Sequence, residues 1–127
     1  INNNISSINE IESFKISDKG LKIWMPSLVL KNDPTFIKTW ESTSDSVAAW
    51  LHKKLNSKGL LFIKSLIFEK KKYKLSYLQQ KGVLDKNVDK YLGKQKNIKI
   101  IGTDIMDILR AASNCEELYS NVNEVEL

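Results

Sequence analysis

Lys81, Lys86, Lys90 and Lys94 gather around the start of one predicted helix. Clustered ammonium groups raise the local concentration of anions and speed their encounter, and the unpaired N–H groups of a helix start add to the same field. The chemistry they suit is the holding of a phosphate or a carboxylate. A solvated face of a lysine-rich chain would show the same residues, so both readings stand at this level. Trp40 is the natural companion, because it falls in a loop among Lys38, Thr39 and Glu41, off any apolar stripe. A Trp in such a place suits a partner, since its large ring anchors interfaces. From Lys53 to Lys99 the chain carries roughly +11. The basic charge there is entirely lysine, and the one arginine is Arg110, which argues against bidentate reading of bases or phosphates.

Other residues could do chemistry of a different kind. His52 faces away from the Val47, Trp50 and Leu51 stripe and has no Ser or Cys in a nucleophile motif, so it reads as a surface histidine. Asp85 with Asp89, and Asp104 with Asp107, could hold a metal or exchange protons, but helix capping accounts for Asp85 and Asp104 without chemistry. Cys115 is the only cysteine and His52 the only histidine, which excludes an intrachain disulfide and a thiolate or imidazole zinc cage within one chain. No catalytic residue, cofactor or metal is expected. Asn4-Ile5-Ser6 matches a glycosylation acceptor, yet nothing in the sequence indicates secretion.

The chain must also fold around these residues. With 127 residues, 42% of them hydrophobic, it can build the core of one domain, and a net charge of +5 with a pI near 9.2 leaves it basic. No apolar run approaches the roughly 18 to 20 residues that a bilayer demands. Ile1 to Ser7 lacks the basic and apolar regions of a secretory leader, so a nuclear or cytoplasmic chain is expected, and the choice of the nucleus first and the cytoplasm second rests on the resemblance described below.

Spacing then places the elements. Ser7 with Glu10, followed by Ile8, Ile11 and Phe14, predicts a leading helix over Ile8–Lys15. Leu21 to Leu30, broken by Pro26, predicts an edge strand or two short pieces. Residues 31–44 read as a loop with a turn at Asn32-Asp33-Pro34, pinned to the core by Phe36, Ile37 and Trp40. Ser44 to Lys58 predicts a helix with Val47, Trp50, Leu51 and Leu55 inward and Gly59 as a left-handed cap. Leu60 to Phe68 and Tyr73 to Leu78 predict two strands, with one long helix over 60–80 as the rival reading. Asp85 is read as the N-cap of a helix carrying Val88, Tyr91 and Leu92. Ile98 to Ile101 predicts a buried strand closed by Gly102, and Ile105, Ile108, Leu109 and Ala112 a last helix packed on the sheet, with Leu118 on the same face. The acidic tail after Tyr119 is expected to fray.

Read in order, this is a helix followed by β-α-β-β-α-β-α, an α/β layer with a small, mostly parallel four-stranded sheet flanked by helices. The stretch Ile98-Lys99-Ile100-Ile101-Gly102 leading into Ile105-Met106-Asp107-Ile108-Leu109, with Ser57-Lys58-Gly59 before the second strand, resembles a divergent BRCT domain. The likeness covers about residues 21–119, and the leading helix is similar to the variant found in chromatin-silencing scaffold proteins and replication-kinase regulatory subunits, which docks partner proteins. That family usually has a Trp where Ile105 stands and a Gly pair where only Gly59 remains. Its phosphopeptide readers carry a Ser or Thr followed by Gly after the first strand, and no such dipeptide occurs between Leu21 and Asp45.

The resemblance implies a non-enzymatic interaction module of a larger nuclear protein, docking acidic or phosphorylated segments of partners through Lys81, Lys86, Lys90, Lys94 and Trp40. Two other classes remain open. One is a nucleic-acid-binding ferredoxin-like domain of the RNA-recognition type, with Tyr73 and Tyr77 as a remnant stacking motif. The other is a small nuclease or toxin.

Overall fold

The computed structural model describes residues 5–14, 20–94 and 97–127. The chain gathers into two compact units, residues 1–38 and 39–127. In the first unit, strand β1 (Ile5–Ile8) pairs in parallel with β2 (Leu21–Trp24), in a register that sets Ile5 opposite Leu21 and Ile8 opposite Trp24. The leading helix expected over Ile8–Lys15 is replaced, where the residues are described, by the end of β1 and a single 3₁₀ turn, Ile11–Phe14. Apolar residues at 8, 11 and 14 repeat every third position, which fits 3.0 residues per turn as well as it fits an α-helix. Lys15 itself, like Asn4 of the glycosylation motif, lies outside the described residues.

Pro26 ends β2 and starts something else. It adopts φ −74°, the value its ring enforces and a helix needs, and α1 (Ser27–Asn32) begins directly after it. The second piece of the expected strand is therefore helical. Beyond it, Asp33 Oδ1 accepts a hydrogen bond from Thr35 N at 2.7 Å, the local bond that makes Asn32-Asp33-Pro34 a turn.

The second unit carries the main core. Helix α2 (Ser44–Leu55) buries Asp45, Ser46, Ala49, Trp50 and His52, while Val47, Leu51 and Leu55 are half-buried. Trp50 is core as expected. The buried arc, however, is turned toward the small residues Ser46 and Ala49, which let α4 approach closely, and this rotation takes His52 inside. Asn56, at φ 47°, supplies the left-handed cap expected of Gly59. Asn tolerates that region better than other residues with a side chain.

Strands β3 (Leu60–Ile63), β4 (Lys72–Lys74), β5 (Ile98–Ile101) and β6 (Asn123–Glu126) form one mixed sheet in the order β3-β5-β6-β4. β3 runs parallel to β5 and β4 parallel to β6, whereas β5 and β6 are antiparallel. β5 is the buried strand its β-branched run predicts, with Ile98, Ile100 and Ile101 inside. The C-terminal tail does not fray. It enters the sheet as β6, buries Val125, and sets Glu124 opposite Lys72 and Lys99. Lys72 Nζ reaches Glu126 at 3.3 Å and Glu124 at 3.4 Å, and the hydrogen bond to Glu126 with the charge of Glu124 holds its ammonium above the usual lysine range.

Four short helices among the described residues complete the unit. The strand expected over Tyr73–Leu78 ends at Lys74 and becomes α3 (Leu75–Gln80), which buries Leu75 and Leu78. α4 (Val88–Leu92) buries the expected Val88, Tyr91 and Leu92 and packs on α2. The last helix forms as α5 (Ile105–Ala111), but Ile105 and Ile108 are only half-buried and Leu109 is exposed, so its contact with the core is shallow. Leu118 belongs to a separate helix, α6 (Cys115–Asn121), started by Asn114 Oδ1 accepting from Glu117 N at 2.9 Å.

Candidate functional site

Trp40 stands 98% exposed on a turn closed by Ser42 N donating to Thr39 O at 3.0 Å. It does not pin the loop to the core. Its turn is fixed by another segment of the chain, residues 85–87. Asn87, 1% exposed, donates through Nδ2 to Ser42 Oγ at 2.8 Å and to Thr39 Oγ1 at 3.5 Å, while its backbone N donates to Glu41 O at 3.3 Å. A buried amide is costly unless its hydrogen bonds are made, so this conformation is strongly preferred over its alternatives.

Asp85 completes the clasp. Its Oδ2 accepts from Thr43 N at 2.6 Å and Ser46 N at 3.0 Å, and its Oδ1 from Thr43 Oγ1 at 2.7 Å. Thr43 is the N-cap residue of α2 and makes no cap bond with its own side chain. Asp85 therefore caps α2 from across the fold instead of capping α4, whose N-cap is Asn87. Burial pushes the Asp85 carboxyl upward, but the hydrogen bonds from Thr43 and Ser46 together outweigh it and hold the group below the ordinary carboxylate range.

The clasp brings part of the basic set beside Trp40. Lys86 lies between Asp85 and Asn87 and pairs with Glu41, the neighbour of Trp40, at 3.4 Å. Gln79 Nε2 is shared among Asp85 O at 3.1 Å, Lys86 O at 2.9 Å and Asp89 Oδ1 at 3.2 Å, so α3 is fastened to the same segment. Lys81, at the end of α3, holds its Nζ 5.9 Å from the Tyr77 ring centroid. Lys90 is exposed on α4. Lys94 is exposed past Gly93, at the end of α4 away from Asn87. The start of α4 is not open to an anion, because Asn87 and Val88 are buried. The lysines offer their charge from exposed flanks instead.

His52 is not a surface residue, being 3% exposed. Its Nδ1 hydrogen-bonds Ser57 Oγ, which in turn donates to Gly59 O at 3.2 Å. Nε2, on the other side of the ring, is buried and has no hydrogen-bond partner among the described residues. The pair thus fastens the end of α2 to the residue that leads into β3. Burial pushes the imidazole below its usual range. Ser57 follows His52 at a spacing of five, a contact made only because Asn56 reverses the chain. Among the described residues no group of three or more His, Cys, Asp or Glu side chains could share a metal ion.

Comparison with protein-family models, curated proteins and solved structures finds no match. The site itself therefore carries the functional argument. What sequence reading missed is the apparatus that orients Trp40, namely Asn87, Asp85 and Gln79. No local spacing signals it, because each of its bonds to the Trp40 turn joins residues roughly 40 positions apart.

Proposed function

We propose that this chain is a non-enzymatic protein-interaction module that docks acidic or phosphorylated segments of partner proteins, as part of a larger nuclear, chromatin-associated protein. The observation that carries the reading is Trp40, an almost fully exposed ring on a turn whose geometry is fixed by a buried asparagine and a capping aspartate. A turn whose backbone is held in place has little main-chain freedom left to lose on binding, which favours an anchor carried on it. Lys86 beside it, Lys90 on α4 and Lys81 on α3 supply charge that attracts a carboxylate or phosphate. Charge of this kind acts mainly on the rate of encounter, and the aromatic anchor on residence time.

The likeness to a BRCT domain is supported by the buried strand Ile98–Ile101 turning at Gly102 into α5. The parallel pairs β3–β5 and β4–β6 agree with the finer description of the sheet, whereas the antiparallel β5–β6 pair and the C-terminal strand depart from it.

A pull-down on the full chain with mass spectrometry, with and without phosphatase, tests the docking role. Proteins retained by the wild type and lost by Trp40→Ala support it, and loss after phosphatase assigns the phosphate. Identical capture by wild type and Trp40→Ala contradicts it. So does salt-dependent retention of nucleic acid that disappears in Lys86→Glu/Lys90→Glu while every protein partner stays.

A further inference from the structure

We infer that a second subsite, a groove of about 270 Å3 between the β3–β4 loop and α3, receives one bulky apolar side chain of an acidic peptide segment from a partner protein. The inference rests on the docking role proposed above and names what the docked segment must carry. Leu66, Ile67, Phe68, Tyr73, Tyr77 and Lys81 line the groove. Leu66 is 46% exposed and Ile67 81%, aliphatic surface that a stable fold gains nothing by leaving in water.

The groove is built before any partner arrives. Phe68 meets Tyr73 edge to face at 5.4 Å, and Tyr73 stacks on Tyr77 at 6.4 Å, with the Tyr73 hydroxyl accepting from Lys70 N at 2.9 Å. The loop wall is pinned to the sheet, because Lys64 N donates to Ile101 O at 2.9 Å and Thr103 N to Leu66 O at 3.0 Å. Only glycine permits that approach. A Cβ on Gly102 would lie 2.0 Å from the Leu66 carbonyl oxygen.

Charge selects the occupant. Lys70 and Lys81 stand on the rim with one acid, Glu69, and Lys71 and Lys74 are exposed alongside in the chain. Among the described residues none of these four lysines is paired with a carboxylate, whereas Lys72 is neutralised by Glu124 and Glu126. Lysine meets an anion as a point charge, and several unpaired ammonium groups spread along the rim suit a segment carrying Asp or Glu. A stacked nucleobase is disfavoured because Tyr77 already has Tyr73 against it and the Lys81 ammonium over its ring. An acidic chain with one apolar side chain meets both halves of this surface. Gln79 on α3 ties the helix that lines the groove to the segment that holds Lys86, which pairs with Glu41 of the Trp40 turn.

The experiment is selection of a random-peptide display library on the full chain, followed by fluorescence anisotropy of enriched peptides with wild type, Ile67→Ser, Lys81→Glu and Trp40→Ala. Expected are acidic peptides sharing one Leu, Ile, Phe or Trp, weakened about tenfold or more by Ile67→Ser or by changing that apolar residue to Ser. Acidic peptides with no shared apolar residue, lost with Trp40→Ala and untouched by Ile67→Ser, overturn the groove and leave the docking role standing. Apolar-anchored acidic peptides lost with Ile67→Ser but unchanged by Trp40→Ala support the groove and overturn Trp40 as the anchor. Selection of no acidic peptide, with an oligothymidine probe bound by the wild type and lost in Lys81→Glu, overturns both.

Discussion

Asp85 Oδ2 accepts a hydrogen bond from the backbone N of Ser46 at 3.0 Å, although the two residues are 39 positions apart. The first turn of α2 thus borrows its cap from the far side of the unit, and the same contact sets the Thr39–Thr43 segment on which Trp40 is displayed. Removing the carboxylate leaves Thr43 N and Ser46 N without their partner. Asp85→Ala should cost about 1 to 2 kcal/mol in denaturant unfolding, the range for a lost N-cap, with Asp85→Asn between it and the wild type. A wild-type midpoint for Asp85→Ala would show that the cap contributes nothing.

The same carboxyl predicts an acid dependence. Its folded-state pKa lies below that of the unfolded chain, so the stabilisation is complete above the ordinary carboxylate range and is lost as pH falls through the folded value. The difference in stability between wild type and Asp85→Asn should therefore shrink on acidification. A difference that holds constant to low pH contradicts the assignment.

His52 adds a second acid response at higher pH. Its folded pKa is lowered by burial, so below about 6.5 the unfolded chain takes up a proton that the folded chain refuses. Stability should fall as pH drops below that value in the wild type and stay flatter in His52→Gln. Parallel pH profiles for the two proteins would contradict the buried, neutral imidazole.

β6 is an interior strand of the sheet, so the tail should behave as core. Deleting residues 122–127 removes Val122 and Val125 and strips partners from both β5 and β4. Loss of cooperative unfolding is expected, against no change for a merely frayed end. Circular dichroism melting of the truncated chain decides between them.

Gly102→Ala forces a methyl group against the Leu66 carbonyl. Backbone must shift to make room, at about 1 to 3 kcal/mol, and the Thr103 amide should lose protection as its bond to Leu66 O breaks. Unchanged exchange at Thr103 would mean that the loop does not cross there.

Local pattern carried the parts of the fold that depend on it. Ile98 to Ile101 announce a buried strand by β-branched composition, Trp50 an inward face, and Val88, Tyr91 and Leu92 a buried helix, and each is found so. Pattern failed where a distant partner decides. The tail becomes β6 by pairing with β4 and β5 and burying Val125, with Lys72 neutralising Glu124 and Glu126, and nothing within 120–127 announces those distant partners. The short helix α3 takes over from β4 after Lys74, where alternation of Tyr73, Leu75 and Tyr77 reads as strand. For the site, exposure of the lysines was legible from residue type, whereas the sequence read Trp40 both as a partner anchor and as a pin to the core, and only the first agrees with its exposure. The clasp of Asp85, Asn87 and Gln79 was not legible, since Asp85 looks like a cap for the helix next to it.

On the docking reading, Trp40 on its fixed turn and the flanking lysines together hold an acidic partner segment. The most direct test of that reading is the affinity of the full chain for one captured partner, taken at low and high salt with wild type, Trp40→Ala and Lys86→Glu/Lys90→Glu. Trp40→Ala should weaken binding about tenfold or more at both salts, because an apolar anchor is not screened, whereas the lysine variant should lose affinity chiefly at low salt. Wild-type affinity in Trp40→Ala at both salt concentrations would contradict the account.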